Sequence, residues 1–413
     1  MVESEGNRKG GGFMTKQELI KQLASINDTK LVMVVLDGVG DIPLEGKTPL
    51  QAANTPNLDA LARFSELGQA IPVSPGVTPG SGPGHLGLFG YDPLQYEIGR
   101  GILEALGSNV DVGTKDMVAR GNFATIDNGV ITDRRAGRPS TDESAKVVEK
   151  LSRSVSKIED IEVSLFPGKE HRFVLKLTGE GLDEGITDTD PQKEGKAPLE
   201  CKALVPEAEK TARIVNEFLS QLADCLSDEA QMSYALLRGF SKYPDIPQFS
   251  DLFKMKAAAI AVYPMYRGLA KLVGMNVVET GQTIEDEIDT LSAVWKDFDF
   301  FFLHVKKTDS YGEDGNFDAK VKVIEEFDRA LPRIKRLKPD VILVTADHST
   351  PVPMKAHSWH PVPLMLHSKF VRIADHKVFS ELECARGMIG TIHSTDQIPL
   401  MMANALRLEK FGA

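Results

Sequence analysis

Three nearly continuous apolar runs along the chain each lead into an acidic residue. The run KLVMVVL ends at Asp37, the run FFFLH leads to Asp309, and the run VILVTA leads to Asp347 and His348. Apolar runs of this kind are typical of strands buried on both faces of a parallel sheet. Because ligand sites in open α/β sheets lie at the carboxyl ends of the strands, we expect the three acids at one edge of a sheet.

The middle of the chain has a different pattern. Its short alternating segments are interrupted by Gly, Pro and charged loops, which predicts a smaller α+β domain inserted into the first. We expect the larger domain at residues 28–112 and 251–413 and the inserted domain at residues 113–250. The polar stretch 178–198 has no periodicity and predicts an exposed loop, with a functional lid as the alternative. Residues 1–14 are polar and glycine-rich and predict a disordered leader.

Composition narrows the class of protein. A content of 42% hydrophobic and 26% charged residues is ordinary for a globular protein, and no apolar run approaches the roughly 20 residues that cross a bilayer. The N-terminus lacks the apolar segment of a signal peptide, so we expect a cytoplasmic protein. The net charge of −11 argues against a nucleic-acid partner, and the 3 cysteines are too widely spaced to suggest a metal or redox pair.

One serine lies in a run of Gly and Pro, PGVTPGSGPGHLGLFGYDP, before an apolar segment that can begin a helix. Glycine leaves the Ser81 hydroxyl uncovered, and the backbone N–H groups of a helix N-terminus favour an anion there. A plain turn is the usual reading of such a stretch, so this feature alone does not predict a catalytic serine.

Strand-end acids and histidines form a mixed oxygen and nitrogen donor set. Asp37, Asp309, Asp347, His348 and the nearby His357 suit Zn²⁺ or Mn²⁺. Each residue alone has an ordinary explanation, because a strand-terminal Asp often caps a helix and a single His is usually structural. Their joint occurrence at three strand ends favours a metal site.

Basic residues concentrate in the middle of the chain, where an anionic substrate of this acidic protein would need them. Arginine binds phosphate and carboxylate oxygens in bidentate fashion, although a solvated charged face is the default explanation for such a cluster. The candidate substrate-binding residues are Asp133, Arg134, Arg135, Arg138, His171, Arg172, Arg238 and Lys256.

Taken together, these segments resemble the archaeal-type cofactor-independent phosphoglycerate mutases of the alkaline phosphatase superfamily. The resemblance runs from about Lys30 to the C-terminus. Its motifs, in chain order, are VLDGVGD, GKTPLQAANTP, the Ser81 loop, FGYDP, GRG, NFAT, NGVITDRRAGR, YPDIP, DHSTP and PVP. Many ordered motifs in one chain make the resemblance specific.

The resemblance implies an alkaline-phosphatase-like α/β/α sandwich with the smaller inserted α+β domain. It implies an isomerase of glycolysis and gluconeogenesis that interconverts 3-phosphoglycerate and 2-phosphoglycerate through a phosphoserine at Ser81, without 2,3-bisphosphoglycerate. It also implies two divalent metal ions, with Mn²⁺ expected first and Mg²⁺, Co²⁺ and Zn²⁺ as alternatives. By this resemblance the first ion would be held by Asp37, Ser81, Asp347 and His348, and the second by Asp309, Glu313 and His357.

Two positions depart from the family pattern. Members of this family usually carry Asp-x-x-x-His where this chain has Asp309 and Glu313, so the last ligand is a carboxylate or is lost. The family's serine is commonly followed by Asp, whereas Gly82 follows Ser81 here. His85 matches a family histidine, which we interpret as support for the loop rather than as a ligand.

Two other functions stay open from the sequence. An altered metal site could transfer the phosphoryl group to water or to another small alcohol, such as homoserine. The chain could also be a non-catalytic binding protein, although the joint presence of Ser81 and the metal-site residues argues against that. A phosphoglycerate is the expected small-molecule partner, no nucleic-acid or membrane partner is expected, and a homo-oligomer is left open.

Overall fold

The structure is a computed structural model and describes residues 14–412. The chain divides into two compact units. Unit 1 contains the chain through Pro93, Pro247–Ile260 and the chain from Val273, and unit 2 contains Leu94–Ile246 and Ala261–Leu272. The domain bounds expected from the sequence stay a prediction. The expected leader lies, apart from Met14, outside the described residues.

Helices and strands are numbered along the chain. The strands are β1 (Leu31–Leu36), β2 (Glu66–Ile71), β3 (Asp116–Asp127), β4 (Val130–Asp133), β5 (Lys157–Ile158), β6 (Ile161–Pro167), β7 (Arg172–Thr178), β8 (Tyr234–Lys242), β9 (Ala257–Ala261), β10 (Asn276–Val277), β11 (Phe300–Val305), β12 (Val341–Thr345), β13 (Val362–Ser368) and β14 (Gly390–His393).

The α-helices are α1 (Lys16–Leu23), α2 (Pro49–Ala52), α3 (Pro56–Ala62), α4 (Ser81–Leu88), α5 (Arg100–Gly107), α6 (Thr141–Ser154), α7 (Glu209–Cys225), α8 (Phe249–Phe253), α9 (Pro264–Leu272), α10 (Ile284–Ala293), α11 (Lys307–Glu313), α12 (Phe317–Arg336), α13 (Glu381–Ala385) and α14 (Gln397–Asn404). Among these described helices, none is long and apolar enough to span a bilayer.

An eight-stranded sheet in the order β10-β9-β11-β1-β12-β13-β2-β14 organises unit 1. The three predicted strands are confirmed as its centre, where β1 lies between β11 and β12 and is parallel to both. All residues of these three strands are buried, as the apolar runs predicted. The parallel register ends with Leu36 beside Val305 and Val35 beside Thr345, so the residues that come after the strands emerge at one edge.

Helix α12 covers part of this sheet with an apolar stripe. Its residues Val323, Ile324, Phe327, Leu331 and Ile334 are buried and share one core with Phe301 and Val344 of the sheet. Burying a side chain of this size contributes roughly 1.5–3 kcal/mol, so the long helix holds the central strands in place. The strand-end acids therefore sit on a rigid edge.

Unit 2 is built on a second, antiparallel sheet. Its strand order is β4-β3-β7-β6-β5, and β8 pairs with β3. Helix α6 begins at a capping box between Ser140 and Glu143, which satisfies the first N–H groups of the helix.

The sequence prediction of an α/β fold with a second α+β region is confirmed.

The stretch 178–198, predicted as an exposed loop, has no helix or strand after Thr178, the last residue of β7. It is not exposed throughout, because Thr189 and Asp190 are buried. The backbone N–H of Thr189 donates to the carbonyl of Leu237 at 2.9 Å, and the N–H of Gly195 donates to the carbonyl of Ile131 at 2.9 Å. These hydrogen bonds attach the loop to strands β8 and β4.

Candidate metal centre and basic pocket

The carboxyl edge of β1, β11 and β12 brings three acids together. Asp37 directly follows β1, Asp347 follows β12, and Asp309 lies in the first turn of α11; all three are buried. Two sets of side chains have ligand atoms close enough to hold a metal ion: Asp37 with Asp347 and His348, and Asp309 with His348 and His357. In each set these atoms lie within 4.8 Å of one another. His348 belongs to both sets.

Close packing at this edge depends on Gly38. Its φ of +59° is in the left-handed region, and a Cβ there would lie 2.4 Å from Thr350 Oγ1. Its N–H faces the carboxylate of Asp347, with the nitrogen 3.2 Å from Oδ1. Only glycine allows the chain to turn sharply after Asp37 while the neighbouring loops approach.

Hydrogen bonds fix the tautomers of two histidines. The Nδ1 atom of His357 lies 2.9 Å from the carbonyl oxygen of Pro79, which can only accept, so Nδ1 carries the hydrogen. The hydroxyl of Thr350 donates to Asp309 at 2.6 Å and therefore accepts from Nδ1 of His348 at 2.9 Å. Both imidazoles are left with their Nε2 atoms facing the carboxylates.

Each of these Nε2 atoms lies close enough to carboxylate oxygens to share a metal ion with them. His348 Nε2 is 3.1 Å from Asp347 Oδ2 and 3.4 Å from Asp37 Oδ1, and His357 Nε2 is 3.6 Å from Asp309 Oδ1. The lone pair of an unprotonated Nε2 atom repels a neighbouring carboxylate oxygen. A cation between the two atoms, either a proton or a metal ion, removes this repulsion. The oxygen and nitrogen donor set, with its Nδ1 atoms held by hydrogen bonds, therefore fits divalent metal ions.

Two residues that the sequence prediction left out of the site also contact the acids. The Nζ atom of Lys306 lies 3.0 Å from Asp37 Oδ2 and 2.5 Å from Asp309 Oδ2, and Nε2 of His304 lies 3.4 Å from Asp37 Oδ2. His304 is in β11 and Lys306 directly follows that strand, so the strand-end rule that selected Asp309 could also have selected them. Their contact with Asp37 depends on the pairing of β1 with β11.

Burial and the close charges shift several pKa values. Burial lowers the pKa of His348, but Asp347 and Asp37 outweigh this and raise it to about 9. Burial and Asp347 would raise the pKa of Asp37, yet His304 and Lys306 keep it below its usual value. Burial would also raise the pKa of Asp347, and His348 and His85 keep it low. Both carboxylates are therefore ionised, and Nε2 of His348 binds a proton when no metal ion does.

Ser81 is the first residue of α4, as the apolar segment after it predicted. The carbonyl of Pro79 accepts the hydrogen bond from His357, and a Cβ on Gly84 would lie 2.6 Å from the backbone oxygen of Asp347. The start of the helix is therefore held against the metal-binding residues. The open N–H groups of its first turn suit an anion beside the Ser81 hydroxyl.

His85 connects this helix to the metal-binding residues. Its Nδ1 lies 2.8 Å from the carbonyl oxygen of Ser81 and 3.2 Å from Asp347 Oδ2. Burial lowers its pKa to about 4, against the opposing effect of Asp347, so the ring is neutral. These contacts agree with the expectation that His85 supports the serine loop.

Glu313 lies at the outer side of the second metal set. It shares α11 with Asp309 and follows it by four residues, which is about one helical turn. Its Oε1 is 3.8 Å from Nε2 of His357, and its side chain is 55% exposed. The Glu313 carboxylate therefore lies next to His357, at the exposed side of the second metal set.

A basic pocket of about 530 Å³ lies within unit 2. It brings together most of the predicted substrate-binding residues, with two further basic residues, Arg120 and Lys169. Arg120 and Arg238 meet because β3 pairs with β8, a long-range contact with no local sequence signal. The pocket is lined by Arg120, Asn122, Arg134, Arg135, Arg138, Lys169, Glu170, His171, Arg172, Gln192 and Arg238.

Asp133 shapes the turn that carries three of these arginines. Its carboxylate accepts hydrogen bonds from the backbone N–H of Arg135 and of Gly137, both at 2.7 Å. Arg134 is held by the buried Asp190, with Nη2 to Oδ2 at 2.7 Å and Nε to Oδ1 at 3.2 Å. Asp133 thus positions the turn through backbone contacts.

Positive charge dominates the pocket. The Nε atoms of Arg172 and Arg238 are buried and make no hydrogen bond to any residue in the described part of the chain. Burial, together with Arg172 and Arg120, lowers the pKa of His171 to about 4, so this ring is neutral at physiological pH. Half-buried arginines whose buried Nε–H groups lack a protein acceptor suit a small molecule with several anionic oxygens.

Lys256, predicted to bind substrate, does not lie at the sheet edge that carries the acids. Lys256 precedes β9, and its carbonyl accepts from the N–H of Asp299, before the start of β11. This is the amino edge of the sheet, roughly 20 Å along β11 from the end that carries the acids. Its Nζ lies 4.7 Å from the ring centre of Phe298. Sequence order alone could not show at which sheet edge this lysine lies.

The fold and the site define a class: an α/β protein with donors for metal ions at the carboxyl edge of its mainly parallel central strands. Residues 62–231 match the family described as 2,3-bisphosphoglycerate-independent phosphoglycerate mutase. A Thermotoga neapolitana protein described as a "probable 2,3-bisphosphoglycerate-independent phosphoglycerate mutase" is 63% identical over 97% of this chain and 100% of its own. A Thermus thermophilus protein with the same description is 50% identical over 96% of this chain and 99% of its own.

Solved structures agree with the sequence relatives. The cofactor-independent phosphoglycerate mutase from Thermoplasma acidophilum is 30% identical, with a TM-score of 0.76 over 91% of this chain and 100% of that chain. The chain belongs to the 2,3-bisphosphoglycerate-independent phosphoglycerate mutases.

Proposed function

We propose that this protein interconverts 3-phosphoglycerate and 2-phosphoglycerate, with Ser81 as the temporary phosphoryl acceptor. The observation that carries the proposal is the position of Ser81, at a helix N-terminus held against the buried metal-binding residues by His357 and Gly84. The names of the sequence relatives support the mutase activity over a phosphatase or a transferase to another alcohol such as homoserine.

Two divalent ions fit the donor sets, with Mn²⁺ as the first candidate. We assign the first ion to Asp37, Ser81, Asp347 and His348, and the second to Asp309, Glu313 and His357. When bound, such ions make the serine hydroxyl more acidic and stabilise negative charge on the transferring oxygens. Which metal the protein uses stays a prediction.

The chain's own residues account for the group transfer. The Ser81 oxygen forms a bond to phosphorus while the bond from phosphorus to the substrate oxygen breaks, and the serine proton passes to the glycerate hydroxyl so formed. The return step uses the other hydroxyl of the same glycerate and restores the serine. The N–H groups at the start of α4 hold the phosphoryl oxygens during both steps.

Arginines of the basic pocket bind the anionic groups of the substrate. Arg135, Arg138 and Arg172 can each donate paired N–H groups to a carboxylate or phosphate. Asp133 and Asp190 contribute indirectly, by positioning arginines. Asp133 holds the backbone of the turn that carries them, and Asp190 holds the side chain of Arg134. Cytoplasmic location stays a prediction, and a homo-oligomer is left open.

The test is an assay of the purified protein with Mn²⁺ and 3-phosphoglycerate, coupled to enolase, with released phosphate measured in parallel. We expect formation of 2-phosphoglycerate with little free phosphate. Release of phosphate as the main product would show a phosphatase instead, and no turnover with Mn²⁺, Mg²⁺, Co²⁺ or Zn²⁺ would contradict the proposal.

A further inference from the structure

A buried lysine connects helix α12 to two loops that carry metal-binding residues. Lys320 lies near the start of α12 and is completely buried. Its Nζ atom donates to the carbonyl oxygens of Gly38 and Thr350, both at 2.9 Å, and to Oδ2 of Asp41 at 2.8 Å. An ammonium group has three N–H donors, so these three acceptors use all of them.

Two of the three acceptors lie beside members of the first metal-binding set. Gly38 directly follows Asp37 in the loop after β1, and its nitrogen lies 3.2 Å from Oδ1 of Asp347. Thr350 lies in the loop after β12, which also carries Asp347. Lys320 therefore holds the two loops together at the point where both present ligands.

Thr350 extends this contact to the second set. Its backbone carbonyl accepts from Lys320. Its hydroxyl donates to Oδ1 of Asp309 at 2.6 Å and accepts from Nδ1 of His348 at 2.9 Å. A shift of Thr350 would therefore disturb His348, which both sets share, and Asp309, which belongs to the second set.

Asp41 balances the charge of the lysine. Its Oδ2 accepts from Lys320, while its Oδ1 accepts from the backbone N–H groups of Ile42 and Val352. The pair adds no net charge beside the metal ligands, so its contribution there is the set of hydrogen bonds that it makes. Replacing both members of a buried ion pair by neutral groups often costs little stability, so the pair can be removed without loss of the fold.

We propose that Lys320 is a positioning residue for both metal-binding sets, which acts through the backbone carbonyls of Gly38 and Thr350. This inference rests on the metal centre of the proposed function. Removal of groups that hold metal ligands in place typically weakens metal binding by about 10–100-fold. Because Lys320 holds residues next to the ligands rather than the ligands themselves, we expect an effect at the lower end of this range.

The first test is the double variant Lys320→Met/Asp41→Asn, which removes both charges of the pair. Asparagine keeps the Oδ1 acceptor that Ile42 and Val352 use, and methionine fills most of the space of the lysine. We expect the double variant to fold and its dissociation constant for Mn²⁺, measured by calorimetric titration, to rise about tenfold. Lys320→Met alone should lose the same affinity and also have a lower Tm, because it leaves Asp41 unpaired.

The matched control is Asp328→Ala on the same helix. Asp328 is also buried, and its carboxylate accepts three hydrogen bonds from Asn57 and Leu58 at the start of α3. Neither of these two residues belongs to a metal-binding set. The control should lower the Tm but bind Mn²⁺ with the dissociation constant of the wild type.

A spectroscopic measurement reports on the ligands themselves. The electron paramagnetic resonance spectrum of bound Mn²⁺ depends on the geometry of its ligands. We expect this spectrum to change in the double variant at saturating Mn²⁺, because the loops that carry the ligands lose their common attachment. Asp328→Ala should give the wild-type spectrum.

The outcomes separate this inference from the proposed function. If the double variant binds Mn²⁺ with the wild-type affinity and spectrum, Lys320 is only structural and the metal centre stands. If Asp328→Ala loses as much Mn²⁺ affinity as the double variant, a general loss of stability explains both and the positioning role is wrong. A double variant that does not fold would also contradict the proposal, because the fold itself would then need Lys320. If the wild type does not bind Mn²⁺, the metal centre is wrong and this inference falls with it.

Discussion

Ser81 owes its role in the proposed mechanism to a hydroxyl at the first position of α4. We predict that Ser81→Ala abolishes mutase turnover and leaves the fold intact, because no bond to phosphorus can form. Turnover is measured with the enolase-coupled assay and folding by circular dichroism. In the wild type stopped during turnover, intact mass should show one added phosphoryl group that the variant lacks.

The control for this variant is Ser74→Ala, which removes a half-buried serine from the loop that precedes α4. It should turn over at the wild-type rate. Near-normal turnover of Ser81→Ala would exclude the phosphoserine route.

Glu313 stands where the resemblance to the mutase family implies a histidine. It follows Asp309 by one helical turn, and its carboxylate lies 3.8 Å from His357, so we predict that it completes the second metal set. The change from imidazole to carboxylate favours Mn²⁺ or Mg²⁺ over Zn²⁺. Glu313→Ala should lower the metal content of the purified protein from two ions to one, measured by elemental analysis. Asp314→Ala, at the exposed neighbouring position, is the control, and unchanged metal content in Glu313→Ala would exclude the ligand role.

At the scale of elements, the turn between β4 and α6 presents three arginines to the basic pocket. Ala136 and Arg138 have left-handed φ values of 47° and 54°, and Asp133 holds the turn by its backbone N–H groups. A charged contact to a substrate anion is worth about 1.5–3 kcal/mol. We therefore predict that Ala at Arg134, Arg135 or Arg138 lowers kcat/KM, by about tenfold or more for at least two of the three.

Arg153→Ala is the matched control, because Arg153 lies at the exposed end of α6 and pairs only with Glu149 among its described ion pairs. Its steady-state kinetics should equal those of the wild type. If all three pocket variants also do so, the cluster is a solvated face and the substrate binds elsewhere.

On the scale of the whole molecule, stability should depend on one buried acid away from the proposed site. Burial, with Asp286 and Glu326 nearby, raises the pKa of Glu287 from 4.5 to about 9. Between these two values the folded protein keeps a proton that the unfolded chain releases. The folded state then binds more protons, so the free energy of unfolding falls as the pH rises through this window.

We predict that Glu287→Gln is more stable than the wild type at pH 8, by on the order of a few kcal/mol, because glutamine cannot ionise. The difference should shrink toward pH 5, where the unfolded chain holds more of its protons. Thermal unfolding at the two pH values measures this. Glu285→Gln, exposed on the same helix, should change little at either pH, and an equal effect of Glu287→Gln at both would contradict the raised pKa.

Composition determines the total charge of the chain, and tertiary structure determines where the positive charge collects. The chain carries −11, yet its basic pocket gathers arginines from β3, β7 and β8 and from the turn after β4. Composition therefore argued against a nucleic-acid surface but could not locate the positive charge. Pairing of β3 with β7 and β8 brings Arg120, Arg172 and Arg238 together across more than a hundred residues of chain.

The sequence by itself determined the central strands and the acids at their carboxyl ends. Continuous apolar runs of this length are typical of buried strands, and parallel strands end at one edge, so the sequence alone predicts that Asp37, Asp309 and Asp347 lie together. The apolar segment that can begin a helix after Ser81 is an equally local signal. Such features depend on neighbours in the chain, and the structure confirms them.

Only the tertiary structure decided which side chains meet across that edge. It brings Lys306 and His304 to Asp37, joins Arg134 to Asp190, and places Lys256 at the opposite edge of the sheet. Strand pairing and loop packing set these contacts, and they connect residues far apart in sequence, where no local pattern of hydrophobic and polar positions carries information.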